Sequence, residues 1–253
     1  MKDHAACDFY DEIANYYDDM TRFKERLVSE KKIMKAWMDK YDFQIVLDAA
    51  CGSGLHTIVL TQLGVSATGI DISARMIAGA LKNAQEMDLH SHFAQAALDE
   101  IDQKIKGKFD TVFILGNSLP HLSSEREIKN SLVGLKKILT DKGRLIIQIL
   151  NYDHILNKKQ RVISVSRNSD HEFIRFYDFI NPYVRFNVLH IHWQNGNAQH
   201  EINSTILYPY TLSEISKILA DEGYGIQDLY GSMNFDVYNN EQSKNLIVVA
   251  QTN

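Results

Sequence analysis

The stretch at residues 46–57, "VLDAACGSGLHT", joins the end of an apolar run to the start of a helical pattern through a turn holding two glycines. The run that leads in, "FQIVLDAA", is short and almost continuously apolar, the texture of a strand buried on both faces of a parallel sheet. The segment that leads out, "GLHTIVLTQLG", reads as a helix closing on Gly64. Gly52 and Gly54 remove side chains where backbone would approach a ligand, and the helix start behind them offers free N–H groups. Open α/β sheets bind ligands at such strand-to-helix turns. A lone G-x-G also serves any tight turn, so the surroundings decide.

Outward from the turn, strand and helix patterns alternate. "VSATGID" reads as a second strand, and "SARMIAGALKNAQEM" as a helix with Ser73 at its N-cap and Met76, Ile77, Ala80, Leu81 and Ala84 inward. A weak third strand lies near "SHFAQAA", and "FDTVFIL" is the fourth. Residues 124–139 form a helix with a capping box at Ser124 and Glu127, and "GRLIIQIL" is a fifth strand entered through an Asp-Lys-Gly turn. Upstream, "ERLVSEKKIMKAWMDK" places Leu27, Ile33, Met34, Trp37 and Met38 near one helical face. After residue 157 the texture changes to β-branched and aromatic runs separated by "NSD", "NP" and "NGN", which is an antiparallel meander. A helix capped by Thr211 with Glu214 follows, and two last strands flank "YGSMNFDVYNN". The fold expected is α/β: a Rossmann-like, doubly wound, mostly parallel sheet of seven strands with an antiparallel insert after the fifth. Its parts are an N-terminal helical lid (1–40), a nucleotide-binding domain (41–157 and 211–253) and an antiparallel cap (158–210).

The 253 residues are 45% hydrophobic, enough for one large α/β domain with an elaboration. A net charge of −5 argues against nucleic acid as the main partner. Two cysteines, Cys7 and Cys51, are too few for a disulfide framework, and there is neither a signal-type segment nor a long apolar run. These features predict a soluble cytoplasmic protein with no membrane contact, and they leave its oligomeric state open.

Asp71 closes the second strand where a carboxylate can accept two bonds from a ribose diol. The third glycine of a pyrophosphate-binding G-x-G-x-x-G is here Thr57, and Asp48 just ahead of the turn disfavours a diphosphate while suiting an ammonium. "D-x-x-C-G-S-G" followed by "G-I-D" resembles the signature of class I S-adenosylmethionine-dependent methyltransferases. Within them, "LGNSLPHL" (115–122), "LNYDHIL" (150–156) and "LYPYT" (207–211) are similar to the glycine and sarcosine N-methyltransferases and their small-molecule relatives.

That resemblance implies S-adenosyl-L-methionine as cofactor and N-methylation of a small molecule. It places the cofactor against Asp48, Ala50, Gly52, Gly54, Asp71, Ile72, Met76, Gln95, Ala96, Leu115, Gly116 and His121. It assigns the acceptor side to Asn117 and Tyr208, with His121 the best general base if the acceptor must lose a proton. Arg22 or Arg26 would be the N-terminal cofactor arginine, and Tyr10, Tyr16 and Tyr17 are lid residues. The chain departs from the glycine-using members at Leu150, where they place an arginine for the substrate carboxylate; Arg175 or Arg185 would have to substitute.

Other constellations carry less. His190 and His192 in "LHIHW", with His200, lack an acidic or cysteine partner at metal spacing, so no metal is expected. "INPY" (180–183) lacks the second proline of a base-flipping loop and follows the wrong strand. Phe173, Phe176, Tyr177, Tyr183, Phe186 and Trp193 form either the insert's own core or a substrate lid. Two rival readings stand: a nicotinamide-dependent oxidoreductase, and a protein that binds S-adenosylmethionine without turnover.

Overall fold

The computed structural model describes residues 5–252; the first four residues of the expected lid lie outside the described residues. The chain opens with three helices, α1 (Ala5–Ile13), α2 (Tyr17–Thr21) and α3 (Phe23–Tyr41). Then follow β1 (Ile45–Ala49), α4 (Leu55–Gln62), β2 (Ser66–Asp71), α5 (Ala74–Gln85) and β3 (His92–Gln95). A short helix α6 (Ile101–Lys104) precedes β4 (Phe109–Ile114), α7 (Glu125–Ile138), β5 (Leu139–Leu150) and α8 (Tyr152–Lys158). Strands β6 (Val162–Asn168), β7 (His171–Ile180), β8 (Tyr183–Gln194) and β9 (Asn197–Leu207) make the insert, and α9 (Leu212–Asp221), β10 (Tyr224–Tyr230) and β11 (Asn245–Thr252) complete the chain.

Seven strands lie in the order β10-β11-β5-β4-β1-β2-β3, with β3, β2, β1, β4 and β5 parallel and β11 and β10 antiparallel. The order reverses at β1 and β4, so the turns after these two neighbours border one crevice, the place where open sheets take ligands. The insert is a separate four-stranded antiparallel sheet, β6-β7-β8-β9. One face of the large sheet packs α6, α7 and α9, around Leu132, Leu135, Ile215 and Leu219; the other packs α3 and α4, around Trp37, Ile58 and Val59.

Local chemistry explains the helix starts. Ser73, Ser124 and Thr211 each accept a bond from the backbone N–H of the third residue onward, and the last two form complete capping boxes with Glu127 and Glu214. Two details differ from expectation. Leu81 is 49% exposed and Asn83 faces inward instead, because its amide donates to Asp18 and to the Ser53 carbonyl. The Asp-Lys-Gly segment does not precede β5 but lies within it, where the pairing with β4 jumps from Leu139 opposite Phe109 to Arg144 opposite Thr111. Among the described residues no helix is long and apolar enough to cross a membrane.

Candidate active site

The turn after β1 is built from left-handed residues: Ala50 at φ +69°, Gly52 at +56° and Gly54 at +89°. Ala50 bears a Cβ there at some steric cost, and residues so held concentrate at functional sites. Cys51 N–H donates to the Ile70 carbonyl at 2.8 Å, extending the β1–β2 ladder into the turn. Asp71, 6% exposed, accepts from Gly52 N–H on one oxygen and from Ser73 N–H on the other, both at 2.9 Å. Burial pushes its carboxyl up to about 6, against the opposing pull of those two donors. A carboxylate has about four lone-pair positions, so roughly two remain for an incoming diol.

Asp48 does not face the crevice as an open ammonium receptor. One of its oxygens accepts from both the N–H and the hydroxyl of Thr57, at 3.1 and 2.8 Å, which ties the end of β1 to the first turn of α4. Thr57, standing where a dinucleotide binder has its third glycine, is accommodated from across the sheet. A Cβ on Gly69 would meet the Thr57 hydroxyl at 2.6 Å.

The turn after β4 shows the same backbone strain, with Gly116 at φ +71° and Asn117 at +65°. Gly116 N–H donates to the Gln148 side chain at 2.7 Å. Asn117 is committed at both ends of its amide: Oδ1 accepts from Leu150 N–H and Nδ2 donates to the Tyr152 hydroxyl, each at 2.9 Å. Its side chain therefore braces the turn, and the backbone carbonyls of the turn are what it can still present. Leu115 is buried at the strand end. The His121 Nε2 lies 3.1 Å from the Tyr10 hydroxyl, its Nδ1 is buried without a partner, and burial lowers its pKa to about 4. Tyr208 N–H donates to the Pro120 carbonyl at 2.9 Å, which seats the residue beside this turn, but its side chain is already engaged. Its hydroxyl donates to Glu214 at 2.7 Å, a bond that with partial burial pushes the phenol up to about 12. The tyrosines that do converge are Tyr152 and Tyr177, whose hydroxyls lie 3.1 Å apart and link Asn117 to strand β7 of the insert. A tyrosine inside "LNYDHIL" and another at an inward position of β7 were the available signals for them.

The N-terminal helices roof the crevice. Tyr17 lies over the glycine turn, where a Cβ on Gly52 would meet its hydroxyl at 3.2 Å. Tyr10 and Tyr17 stand edge to face, with ring centroids 6.2 Å apart. Phe9, Ile13, Tyr16 and Met20 form a small core with Met76 of α5 and with Phe173 and Val188 of the insert, so three parts of the chain meet above the turn. Ile72 is half-buried beside it, its carbonyl accepting from the Gln95 side chain at 2.9 Å, and Ala96 N–H donates to the Asp71 carbonyl. Arg26 and His56 both hold Glu30, at 2.8 and 3.4 Å. The inward histidines of the insert are bound to one another and to an acid: His171 Nδ1 lies 2.8 Å from His190 Nε2, and His190 Nδ1 lies 3.2 Å from Glu201.

Residues 46–143 match the family model described as a methyltransferase domain. The glycine/sarcosine N-methyltransferase of Aphanothece halophytica is 30% identical over 156 residues, which is 62% of this chain and 59% of that protein. Human glycine N-methyltransferase is 33% identical over 140 residues, 49% of this chain and 48% of that protein. Residues 46–143 of this chain are therefore a methyltransferase domain. The matched region spans well under two thirds of these curated relatives' length. In overall fold the chain resembles an S-adenosylmethionine-dependent methyltransferase from Clostridium acetobutylicum, with a TM-score of 0.80 at 16% identity, covering 96% of this chain and 98% of that one. A sugar N-methyltransferase from Streptoalloteichus superposes with a TM-score of 0.70 at 17% identity, over 93% and 92% of the two chains.

Proposed function

We propose that this protein is a class I S-adenosylmethionine-dependent methyltransferase that moves a methyl group from S-adenosyl-L-methionine to the nitrogen of a small molecule. What carries the reading is the pairing of two strained turns, after β1 and β4, across one crevice under a roof of tyrosines. The crevice fits the cofactor. Gly52 leaves a slot beneath Tyr17 that a Cβ would crowd, and Asp71 stands at its end with acceptor capacity for the ribose hydroxyls. Ala50, Gly52 and Gly54 would lie along the methionine portion, with Ile72, Met76, Gln95 and Ala96 around the adenine, and Leu115, Gly116 and His121 beside the sulfonium.

The acceptor nitrogen bonds to the methyl carbon as the carbon–sulfur bond breaks, the electron pair stays on sulfur, and the product ammonium sheds one proton. The chain's own part is alignment and exclusion of water. Carbonyls of the Gly116–Asn117 turn can hold the amine's hydrogens while its lone pair faces the methyl. His121, kept neutral by burial, can accept a proton where the acceptor needs to lose one. In this reading α1–α3 act as the lid, the insert as the cap, and the nucleotide domain as the base. A cytoplasmic setting without nucleic acid as substrate belongs to the same reading, supported by two unpaired cysteines and the net charge of −5.

The test is methyl transfer from labelled S-adenosylmethionine to a panel of small amines, phenols and acids, with S-adenosylhomocysteine binding measured alongside. Transfer to an amine is expected. Tight S-adenosylhomocysteine binding with every acceptor inert would favour a binding protein without turnover, and transfer confined to phenols would move the chemistry to oxygen.

A further inference from the structure

An antiparallel sheet with one side in water reads apolar and polar by turns along each strand. The insert does not. In β7, Phe173 and Tyr177 alternate with Ile174 and Phe176, and in β8, Val184 and Val188 alternate with Leu189 and Ile191. The first set is buried: Phe173 and Val188 lie in the core beneath the N-terminal helices, and Tyr177 and Val184 in that of the large sheet. The second set joins none of the hydrophobic cores of the described residues. It forms an outer face.

Register organises that face into rows, because directly paired residues share one side of a sheet. Val165 pairs with Ile174, Ile174 with Leu189, and Leu189 with Ile202, so one apolar row crosses all four strands. At the two ends of the row Val165 is 61% and Ile202 57% exposed, and Val162 beside it is exposed as well. Charges stand off the row on either side, Arg167 with Glu172 towards one end of the strands and Asp178 with Arg185 towards the other. Asn187, next to the row, is satisfied within the sheet: its Nδ2 donates to Asp178 at 3.0 Å and its Oδ1 accepts from the Ser204 hydroxyl at 2.7 Å.

An apolar centre with a charged rim is the anatomy of a protein interface, and monomeric proteins rarely leave a large patch of this kind in water. The row is also its own complement. A two-fold axis in the plane of contact, running along the strands between β7 and β8, exchanges β6 with β9 and β7 with β8. Val165 then meets Ile202 of the other copy, Ile174 meets Leu189, and Asp178 comes opposite Arg185, whose charge is of the other sign. Four strands about 4.8 Å apart and roughly nine residues long present about 600 Å² per copy, or about 1,200 Å² for the pair before side-chain relief, the lower bound for a stable dimer.

We infer that the outer face of the insert is the contact between two copies of this chain, packed sheet on sheet about that axis. The inference does not depend on the methyltransferase reading. It gives the insert two tasks on alternate residues of the same strands: one face closes on the N-terminal helices, the other on the second copy.

The experiment is sedimentation velocity on the full chain at concentrations from about 1 to 100 μM. The wild type is expected at twice the chain mass of 29.0 kDa. Val165→Lys and Ile202→Lys, at positions already in water in the single chain, should each raise the dimer dissociation constant roughly thirtyfold or more, the size of an interface hot spot, with far-UV circular dichroism unchanged. Val165→Thr combined with Ile202→Thr keeps the β-branched shape and should weaken the dimer in the same direction, which covers a lysine variant that does not fold. Val28→Lys, at an exposed position of α3 outside the insert, should leave the dimer intact. A wild type that stays at the mass of one chain throughout overturns the inference. So does a dimer that survives both lysine substitutions, since another surface would then hold it. A monomer that pellets with phosphatidylcholine vesicles would overturn it in favour of a lipid surface.

Discussion

The carboxyl of Asp71, raised by burial to about 6, titrates close to neutral pH. Its folded value lies above the ordinary carboxylate range, so the ionised form burdens the fold above about 6 and the burden fades as protons bind. A ribose diol needs the opposite state, since only the carboxylate offers acceptors alone. S-adenosylhomocysteine affinity is therefore expected to fall as pH drops through 6, and Asp71→Asn should flatten that profile. At pH 7.5 the substitution should weaken binding by roughly 10- to 150-fold, the range for a hydrogen bond to a charged group. Titration calorimetry between pH 5 and 8 checks both, and a flat wild-type profile would remove Asp71 from the ribose. His121 does not confound the measurement, because burial holds it neutral down to about 4. Asp48 is a contrasting case in which the residue type was informative and the role was not. Its carboxylate was legible as an acceptor near the turn, but its partner, Thr57, is nine residues on and meets it only once α4 has formed.

Elements whose boundaries rest on neighbouring residues were legible in the sequence. Ser73, Ser124 and Thr211 announce their helices because a cap and its partner lie three residues apart. The alternation of strand and helix foretold the parallel sheet, and the turn signals foretold the meander. Helix α8 was passed over, although Asn151 caps it by accepting from His154 N–H inside the same "LNYDHIL". What stayed hidden depends on distant partners: Asn83 turns inward for an aspartate 65 residues away, and Asn117 is braced by a tyrosine 35 residues away. Tyr208 likewise looked like a site residue by motif, yet its hydroxyl serves Glu214, itself part of the cap of α9. The roof illustrates a non-local element, held by partners far along the chain. Phe9 is 2% exposed among residues of α5 and the insert, and truncating such a ring costs about 3–5 kcal/mol where the structure cannot leave. For Phe9→Ala we expect faster hydrogen exchange in α1 and α2, with protection of β1 and β4 unchanged. Loosening of the central strands as well would mean that the roof and the sheet unfold as one unit.

Across the whole molecule, helix α3 is fastened to α4, beside the large sheet, by a buried charge. Burial pushes the Glu30 carboxyl up, but hydrogen bonds from His56 and Arg26 prevail and hold it down at about 2. A folded value below the ordinary 4.5 gives stability that is full above that pH and is lost as pH falls toward 2. Glu30→Gln should thus lower the thermal midpoint at pH 7, with the gap to the wild type narrowing steadily below pH 4.5. A gap independent of pH would mean that packing, and not charge, fastens α3 to α4. The same architecture has a kinetic side. Tyr17 lies across the glycine turn, and the cluster of Phe9, Ile13, Tyr16 and Met20 pins α1 and α2 between α5 and the insert. On the proposed reading this roof is the lid over the bound cofactor. Under that reading each turnover would open it to exchange spent cofactor for fresh, so the dwell time of S-adenosylhomocysteine is expected to follow how often a few aromatic and aliphatic side chains let go together.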